Sequence, residues 1–172
     1  MSLFKNRLRV KSTSTTIGHF LYLHEEGSLF LDAEYQRDYV WQEEHQQALL
    51  KSVFENQPIN SVAVVINEAS MDKYCEGVDG KQRLTTLIKF ATGEIPYILE
   101  NGSKMFFDDM ENPDKIQFRQ SRMTSNELHT FDGSPVTEAD KIRYFLHTNF
   151  GGVPQSDEHR AIVEEMYVKV SS

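Results

Sequence analysis

The chain has 172 residues, a formal net charge of −8 and a single cysteine. This length predicts one domain with a core of its own. The negative charge argues against a protein that grips nucleic acid over its whole surface, because each phosphate contact needs a cation, but it is compatible with a local basic patch. No apolar run is long enough to cross a membrane, and one cysteine cannot form an internal disulfide, so we expect a cytoplasmic protein.

Hydrophobic spacing and turn residues divide the first half of the chain into regular elements. In order, they predict a helix over 12–27, an extended aromatic segment over 28–41, a helix over 42–58, strands over 61–67 and 73–79, and a helix over 80–93. Thr15 or Thr16 is the predicted N-cap of the first helix. The valine-rich strand is predicted to be buried, because its apolar residues are continuous rather than alternating.

The second half begins with a predicted hairpin around Asn101-Gly102, followed by polar residues 108–135 without a clear pattern. Further helices are predicted over 137–149 and 157–170. The first of these opens on Thr137 with Asp140 three residues on, a variant of the capping box, and Ser156 caps the second. Together the elements predict a single α+β domain over residues 1–172, with a core of about 15–168, in which helices flank a small mixed sheet.

Polar side chains crowd around the turn between the second strand and the helix that follows, in the sequence VDGKQRLTTL. A helix N-terminus carries unpaired N–H groups and a partial positive charge, and Gly80 allows a ligand to approach the backbone. Such ends bind anions, and the guanidinium of Arg83 can fork onto phosphate oxygens. Thr85 and Thr86 can donate hydroxyl groups or bind Mg²⁺. Asp79 can hold that metal, orient a water or accept a hydrogen bond from a sugar.

The same residues also fit an ordinary helix start. Asp79 would then be the N-cap, followed by the solvated first-turn residues Lys81, Gln82 and Arg83. Two cations in a first turn are disfavoured by the helix dipole, and local violations of such rules often mark a functional site. Residue types alone leave both interpretations open.

A second cluster, EYQRDYVW over residues 34–41, places two tyrosines and the only tryptophan around Gln36 and Arg37. Aromatic residues at this spacing are typical of a strand that contributes to a core. We therefore predict that Trp41 is mostly buried in the core, and that Tyr35 lies nearer to a cavity.

Four motifs in sequence, YQRDYVW, QPINSVAVV, VDGKQRLTTL and FLHTNFGGVPQSDEHR, resemble those of the DUF262 family, the N-terminal domain of GmrSD-type modification-dependent restriction systems. The resemblance covers residues 17–160. It implies a fold similar to the ParB/sulfiredoxin-like superfamily, whose members use a Gly-x-x-Arg at a strand–helix turn on nucleotide or phosphoryl groups. In this chain that motif runs from Gly80 to Arg83.

The resemblance implies that the turn binds the phosphates of a nucleoside triphosphate (NTP). The implied phosphate-binding residues are Gln36, Arg37, Gly80, Lys81, Gln82, Arg83, Thr85, Thr86 and Asn149. The implied catalytic residues are Asp79, Arg83 and Arg37. The implied cofactor is Mg²⁺, with Asp79 and Glu158 as its expected ligands.

The resemblance also implies a role in DNA restriction and phage defence. The sequence lacks the family's His-Asn-His nuclease motif, so the chain would work with a separate nuclease subunit, act as a solitary regulator or be part of a longer protein that carries the nuclease. The other expected partners are an NTP, DNA and, in an oligomer, further copies of the chain. Two functions stay open: a magnesium-dependent NTP hydrolase, and a binding module that holds nucleotide or DNA phosphate without cleaving it. A third, a ParB-like DNA nickase, is disfavoured by the acidic charge.

Overall fold

The computed structural model describes residues 7–150 and 157–171. Its strands are β1 (Leu8–Thr16), β2 (Leu29–Phe30), β3 (Val62–Ile66), β4 (Cys75–Asp79), β5 (Tyr97–Ile98), β6 (Lys104–Met105) and β7 (Arg122–Thr130). Its helices are α1 (Ile17–Glu25), α2 (Glu43–Phe54), α3 (Lys81–Ala91), α4 (Asn112–Gln120), α5 (Glu138–Phe150) and α6 (Asp157–Ser171), with a 3-10 turn over Phe107–Asp109. Within these described residues, none of the helices is both long and apolar enough to cross a membrane.

Five strands form one mixed sheet in the order β1-β7-β3-β4-β2. β7 is antiparallel to β1 and parallel to β3, while β4 is antiparallel to β3 and parallel to β2. The short strands β5 and β6 form a separate hairpin around the predicted Asn101-Gly102 turn. The predicted α+β class, with helices around a small mixed sheet, is confirmed.

The main core lies between the sheet and helices α1 to α4. Leu84, Leu87 and Phe90 of α3 are almost completely buried in it, because their spacing puts them on one face of the helix. A smaller cluster holds α5 and α6 against the loop that follows β2, through Tyr35, Ile142, Phe145 and Val163. α3 is therefore fixed by the main core, while the loop and α5 approach its N-terminus from the side of the smaller cluster.

The structure corrects the prediction for the start of the first helix. Residues 12–16 belong to β1, and the helix begins only at Ile17. The Ser/Thr run has little preference for a helix and instead pairs along its length with β7. Thr16 is the N-cap as predicted, since its side-chain oxygen accepts a hydrogen bond from the backbone N–H of His19 at 3.2 Å.

The remaining predictions for individual elements have mixed outcomes. Only residues 29–30 of the extended segment 28–41 form a strand, and the patternless stretch 108–135 contains both α4 and β7. The capping box of α5 is confirmed: the Asp140 carboxylate accepts from the backbone N–H of Thr137 at 3.0 Å, and Thr137 Oγ1 accepts from the N–H of Asp140 at 3.2 Å. The predicted cap Ser156 lies outside the described residues.

Candidate functional site

A cavity of about 220 Å³ lies at the turn from β4 into α3. Three stretches of chain meet there: the loop before α2, the turn itself and the C-terminal part of α5. Its wall consists of Gln36, Arg37, Trp41, Asp79, Gly80, Lys81, Gln82, Arg83, Phe145 and Asn149. The fold therefore brings together every site residue predicted from the sequence except Thr85, Thr86 and Glu158.

Gly80 is the N-cap of α3 and has the left-handed backbone conformation, with φ at 102°. A Cβ at this position would lie 2.5 Å from Cγ1 of Val62, so only glycine fits both the conformation and the space. Glycine has no side chain that could cap the first-turn N–H groups of α3, and no side chain within residues 7–150 and 157–171 caps them. The alternative prediction that Asp79 is the N-cap is therefore wrong, and the helix end keeps N–H groups that can receive an anion.

Arg83 and Asp79 form an ion pair at the edge of the cavity. Nη2 of Arg83 donates to Oδ2 of Asp79 at 3.3 Å and to the carbonyl oxygen of Ser61 at 2.8 Å. The two side chains are only 18% and 20% exposed. Nε of Arg83 is buried and has no hydrogen-bond partner among the described residues. One edge of the guanidinium is thus anchored, and other N–H groups stay available to a ligand.

Asp79 is positioned by the end of its strand. The register of β3 and β4 shifts at Ala63 and Val64, and such β-bulges often re-aim side chains next to functional sites. Oδ1 of Asp79 lies 3.5 Å from Nδ2 of Asn149, which donates to the carbonyl oxygen of Phe145 at 3.1 Å. Asp79 therefore lies between a cation on α3 and an amide on α5.

Gln36 presents a hydrogen-bond acceptor that nothing in the described part of the chain uses. Its side chain is 7% exposed, and Nε2 donates to the carbonyl oxygen of Gly77 at 2.7 Å. This bond fixes which side of the amide is oxygen, and Oε1 is left buried without a described partner. A buried, unpaired polar atom is costly and requires an explanation, such as a bound ligand, ion or water. An acceptor here suits a ribose hydroxyl or a metal-bound water rather than a phosphate oxygen.

Gln82 lines the cavity, but its amide holds the neighbouring loop. Oε1 accepts from the backbone N–H groups of Val40 and Trp41 at 2.9 and 3.2 Å, and Nε2 donates to the carbonyl oxygen of Asp38 at 2.9 Å. The three hydrogen bonds use the amide almost completely. The structure therefore assigns Gln82 a positioning role in addition to its place in the wall, which residue spacing alone does not reveal.

Three predicted site residues lie elsewhere. Thr86 is fully buried beneath the loop, where Oγ1 donates to the carbonyl oxygen of Gln82 at 2.8 Å and lies 2.9 Å from the Tyr39 hydroxyl. Thr85 is half-buried and does not line the cavity. Glu158 is exposed on α6 and does not line it either. Successive helix residues point about 100° apart, so Thr85 points about 200° around α3 from Arg83. Thr86 is one turn on from Arg83, but the loop that carries Tyr39 covers it.

The cationic side chains of the cavity wall differ in how firmly other residues hold them. Arg37 is exposed and makes no hydrogen bond or ion pair with another described residue, so its guanidinium can turn towards a ligand. The side chain of Lys81 is only 11% exposed, and Nζ lies 3.0 Å from Oδ1 of Asp32.

Burial, with a smaller contribution from the charge of Arg37, lowers the pKa of His159 on α6. Sequence reasoning did not single out His159, which stacks edge-on against Phe145.

The predicted roles of Trp41 and Tyr35 are reversed. Tyr35 is 1% exposed and packs against Phe145 in the smaller cluster, and burial raises the pKa of its hydroxyl. Trp41 is only partly buried: it packs on the main core, lines the cavity and stacks on His45 with ring centroids 5.8 Å apart. The segment is a loop rather than a strand, so alternation along a strand does not govern its side chains.

The donors around the cavity fit a magnesium ion only in part. Among the described residues, Asp79 is the one carboxylate in the wall, and no group of three or more His, Cys, Asp and Glu is placed to hold a metal. Mg²⁺ typically takes one or two carboxylates and completes its shell with water and substrate phosphates. Asp79, with Oε1 of Gln36, is compatible with an ion that arrives together with a nucleotide, but not with a preformed protein cage.

Comparison with protein families supports the resemblance seen in the motifs. A model of the GmrSD restriction endonuclease N-terminal domain matches residues 17–160, a span that includes every residue of the cavity wall. Comparisons with curated proteins and with solved structures gave no match. The chain therefore belongs to the family of GmrSD restriction endonuclease N-terminal domains, which makes it a component of a restriction or phage-defence type of system.

Proposed function

We propose that the cavity binds the phosphates of an NTP and that the domain hydrolyses it, as part of a system that restricts DNA. The observation that supports this most is the charge of the wall. Arg37, Lys81 and Arg83 meet there beside the uncapped N-terminus of α3, in a chain whose net charge is −8. Cations and helix N–H groups around one small cavity suit a compact polyanion.

Phosphate oxygens would take the place of Asp79 on Arg83. Nη2 already uses the Ser61 carbonyl as an anchor, so the guanidinium would keep its position while its acidic partner changes. Arg37 would close on the phosphates from the opposite loop, because no described residue restrains it. Each charge-assisted hydrogen bond of this kind contributes about 1.5–3 kcal/mol.

Hydrolysis requires a carboxylate near the phosphates, and Asp79 is the acid in the described wall. Asp79 with Oε1 of Gln36 would hold Mg²⁺ or align the attacking water. When bound, the ion would neutralise charge on the transferred phosphoryl group and its neighbours. Arg37 and Arg83 would stabilise the same charge as water attacks the terminal phosphorus, the bond from that phosphorus to the bridging oxygen breaks, and the nucleoside diphosphate leaves.

A second function, nucleotide binding without cleavage, is favoured by the small number of acids. Asp79 is alone in the described wall and is engaged by Arg83, so the domain would then serve as a switch or targeting module for a nuclease partner that acts on DNA. The ParB-like nickase is the weakest candidate, since a net charge of −8 disfavours contact with many DNA phosphates.

The two functions are separated by measuring binding and turnover on the same protein. Calorimetry with ATP, GTP, CTP and UTP tests the phosphate site. Phosphate release with Mg²⁺, in the presence and absence of DNA, tests hydrolysis. Binding with turnover supports the hydrolase, binding without turnover under all conditions supports the module, and no binding of any NTP refutes the proposal.

A further inference from the structure

A second cavity, of about 250 Å³, lies next to the phosphate cavity. Trp41 and Arg83 belong to the walls of both, so the two spaces are separated by these two side chains. The second wall continues along α2 and the segment that leads into β3. A ligand with phosphates in the first cavity would have to pass only Arg83 and Trp41 to reach the second.

The second cavity differs from the first in chemistry. Ala48, Leu49, Pro58 and Ile59 give it apolar sides, and the indole of Trp41, stacked on His45 at an interplanar angle of 27°, gives it a flat aromatic side. A planar aromatic ligand stacks favourably on such a surface. The cations that characterise the phosphate cavity are represented here by the shared Arg83 alone among the described residues.

Two polar groups lie at the margin of this apolar space. The Ser52 hydroxyl donates to the carbonyl oxygen of Ala48 at 2.9 Å, which leaves its oxygen as an acceptor. Asn60 is exposed and makes no hydrogen bond with another described residue, so its amide offers both a donor and an acceptor. Apolar walls with a few polar groups are typical of small-molecule sites.

Trp41 is held in place before any ligand arrives. Its backbone N–H donates to Oε1 of Gln82 at 3.2 Å, and its carbonyl oxygen accepts from Nε2 of Gln46 at 3.0 Å. A preformed aromatic surface binds without the cost of ordering a loop. Taken together, the two cavities have the size of a usual ligand pocket, which measures roughly 300–1,000 Å³. The phosphate cavity of about 220 Å³ does not reach that range by itself.

We infer that the second cavity holds the nucleobase of the NTP, stacked on Trp41, with its polar edge towards Asn60 and Ser52. This inference rests on the proposed phosphate site. It gives the domain a means of distinguishing a nucleotide from other polyphosphates. It also identifies the residues on which any preference among bases depends.

The test compares ATP, GTP, CTP and UTP with inorganic tripolyphosphate, which carries the phosphates without a base. Trp41 is the only tryptophan of the chain, so its fluorescence reports on the two cavities whose walls it shares. We expect at least one NTP to bind more tightly than tripolyphosphate and, at saturation, to quench the fluorescence more strongly than tripolyphosphate does. In calorimetry, Trp41→Ala should weaken NTP binding by roughly 5- to 150-fold, the range known for base–aromatic stacking. Trp41 also lines the phosphate cavity, so tripolyphosphate binding should weaken too, but by a clearly smaller factor.

A second variant keeps the tryptophan and fills the cavity instead. Ala48 is exposed on α2, so Ala48→Gln should fold normally while its longer side chain occupies the space for the base. Glu44→Gln introduces the same residue on the same helix, away from both cavities, as the control. We expect only Ala48→Gln to lower NTP affinity towards that of tripolyphosphate.

The outcomes distinguish this inference from the proposed function. If tripolyphosphate binds as tightly as every NTP, or if Trp41→Ala and Ala48→Gln leave NTP binding unchanged, the base cavity is refuted and the phosphate site stands. If a short DNA oligonucleotide quenches Trp41 and the NTPs do not, the cavity takes a base from DNA and the inference is wrong. If neither the NTPs nor tripolyphosphate bind, the proposed function fails and the inference fails with it.

Discussion

Asp79→Asn is the substitution that separates a catalytic acid from a structural one. The change keeps the shape of the side chain and removes one negative charge beside Arg83. Since Gly80 rather than Asp79 is the N-cap of α3, the substitution does not alter a cap. Its structural effect is therefore confined to the ion pair with Arg83 and the contact with Asn149.

The expected loss of stability follows from that pair. Exposed ion pairs contribute about 0.2–1 kcal/mol, and breaking a fully buried pair costs about 3–5 kcal/mol. The pair of Asp79 and Arg83 lies between these limits, since its side chains are 18–20% exposed. Asparagine keeps an oxygen acceptor, so we expect a loss of about 1–2 kcal/mol. In a domain of this size that lowers the melting temperature by about 2–8 °C.

We also expect Asp79→Asn to bind NTP more tightly, because it removes the negative charge of Asp79. A carboxylate about 8 Å from a phosphate, at an effective dielectric constant of about 20, repels it by about 2 kcal/mol. Without Mg²⁺, at low salt, Asp79→Asn should therefore bind NTP roughly 30-fold more tightly than the wild type. With Mg²⁺ the gain should disappear, because the variant has lost the carboxylate proposed to hold the ion.

Turnover gives the decisive measurement. Phosphate release by Asp79→Asn should fall at least about tenfold, or about 1.4 kcal/mol of barrier, although the nucleotide is bound. The matched control is Asp72→Asn, which makes the same charge change at an exposed position. Wild-type turnover by Asp79→Asn would exclude Asp79 from catalysis, and unchanged binding without Mg²⁺ would show that the phosphates do not lie beside it.

Three further predictions test the fold and the site. Arg83→Ala should weaken NTP binding by about 1.5–3 kcal/mol in calorimetry while the fold survives. Arg83→Lys should restore little of this affinity, because lysine cannot form the two parallel hydrogen bonds of a guanidinium. Unchanged affinity of Arg83→Ala would refute the phosphate site. Gly80→Ala should destabilise the protein by more than the strain of about 1–3 kcal/mol expected at a positive φ, because the new Cβ also meets Val62. Gly102→Ala separates the two effects, since it has a similar φ but open space, and equal losses in thermal melts would exclude the clash. Tyr35→Phe removes a buried hydroxyl without a described partner, so urea unfolding should show a stability equal to the wild type or up to about 1 kcal/mol higher, and a clear loss would reveal a partner for that hydroxyl.

The sequence predicts the strand–turn–helix junction well because its signals are local. The glycine, the charged first turn and the helical spacing of Leu84 and Leu87 all lie within a few residues of one another. The loop over residues 34–41 is predicted poorly for the opposite reason. Its path depends on hydrogen bonds with Gln82 and Gln46, which come from separate helices, so the exposure of Trp41 and the burial of Tyr35 follow from tertiary contacts.

The strands of the sheet also differ in whether nearby residues predict them. β3 is visible in the sequence because its apolar residues are continuous, and β4 is visible because it ends at the Gly80 turn before a helix. β1 and β7 are not, because their hydroxyl-rich and charged residues carry no hydrophobic alternation. Each of these two strands is stabilised by the other, and residue patterns within either one do not contain that pairing.

The pairing of β1 with β7 has a consequence for how the chain folds. Paired positions such as Ser12 and Asn126 are 114 residues apart, so β1 can pair only after β7 has been synthesised. Closing so large a loop is entropically unfavourable, and contacts of high sequence separation slow folding. During synthesis β1 would remain without its partner until residues 122–130 emerge, and its serine and threonine residues make it a poor nucleus for aggregation in that interval. In pulsed hydrogen exchange during refolding, we expect the amides of β1 to gain protection after those of β3 and β4, and early protection of β1 would refute this order.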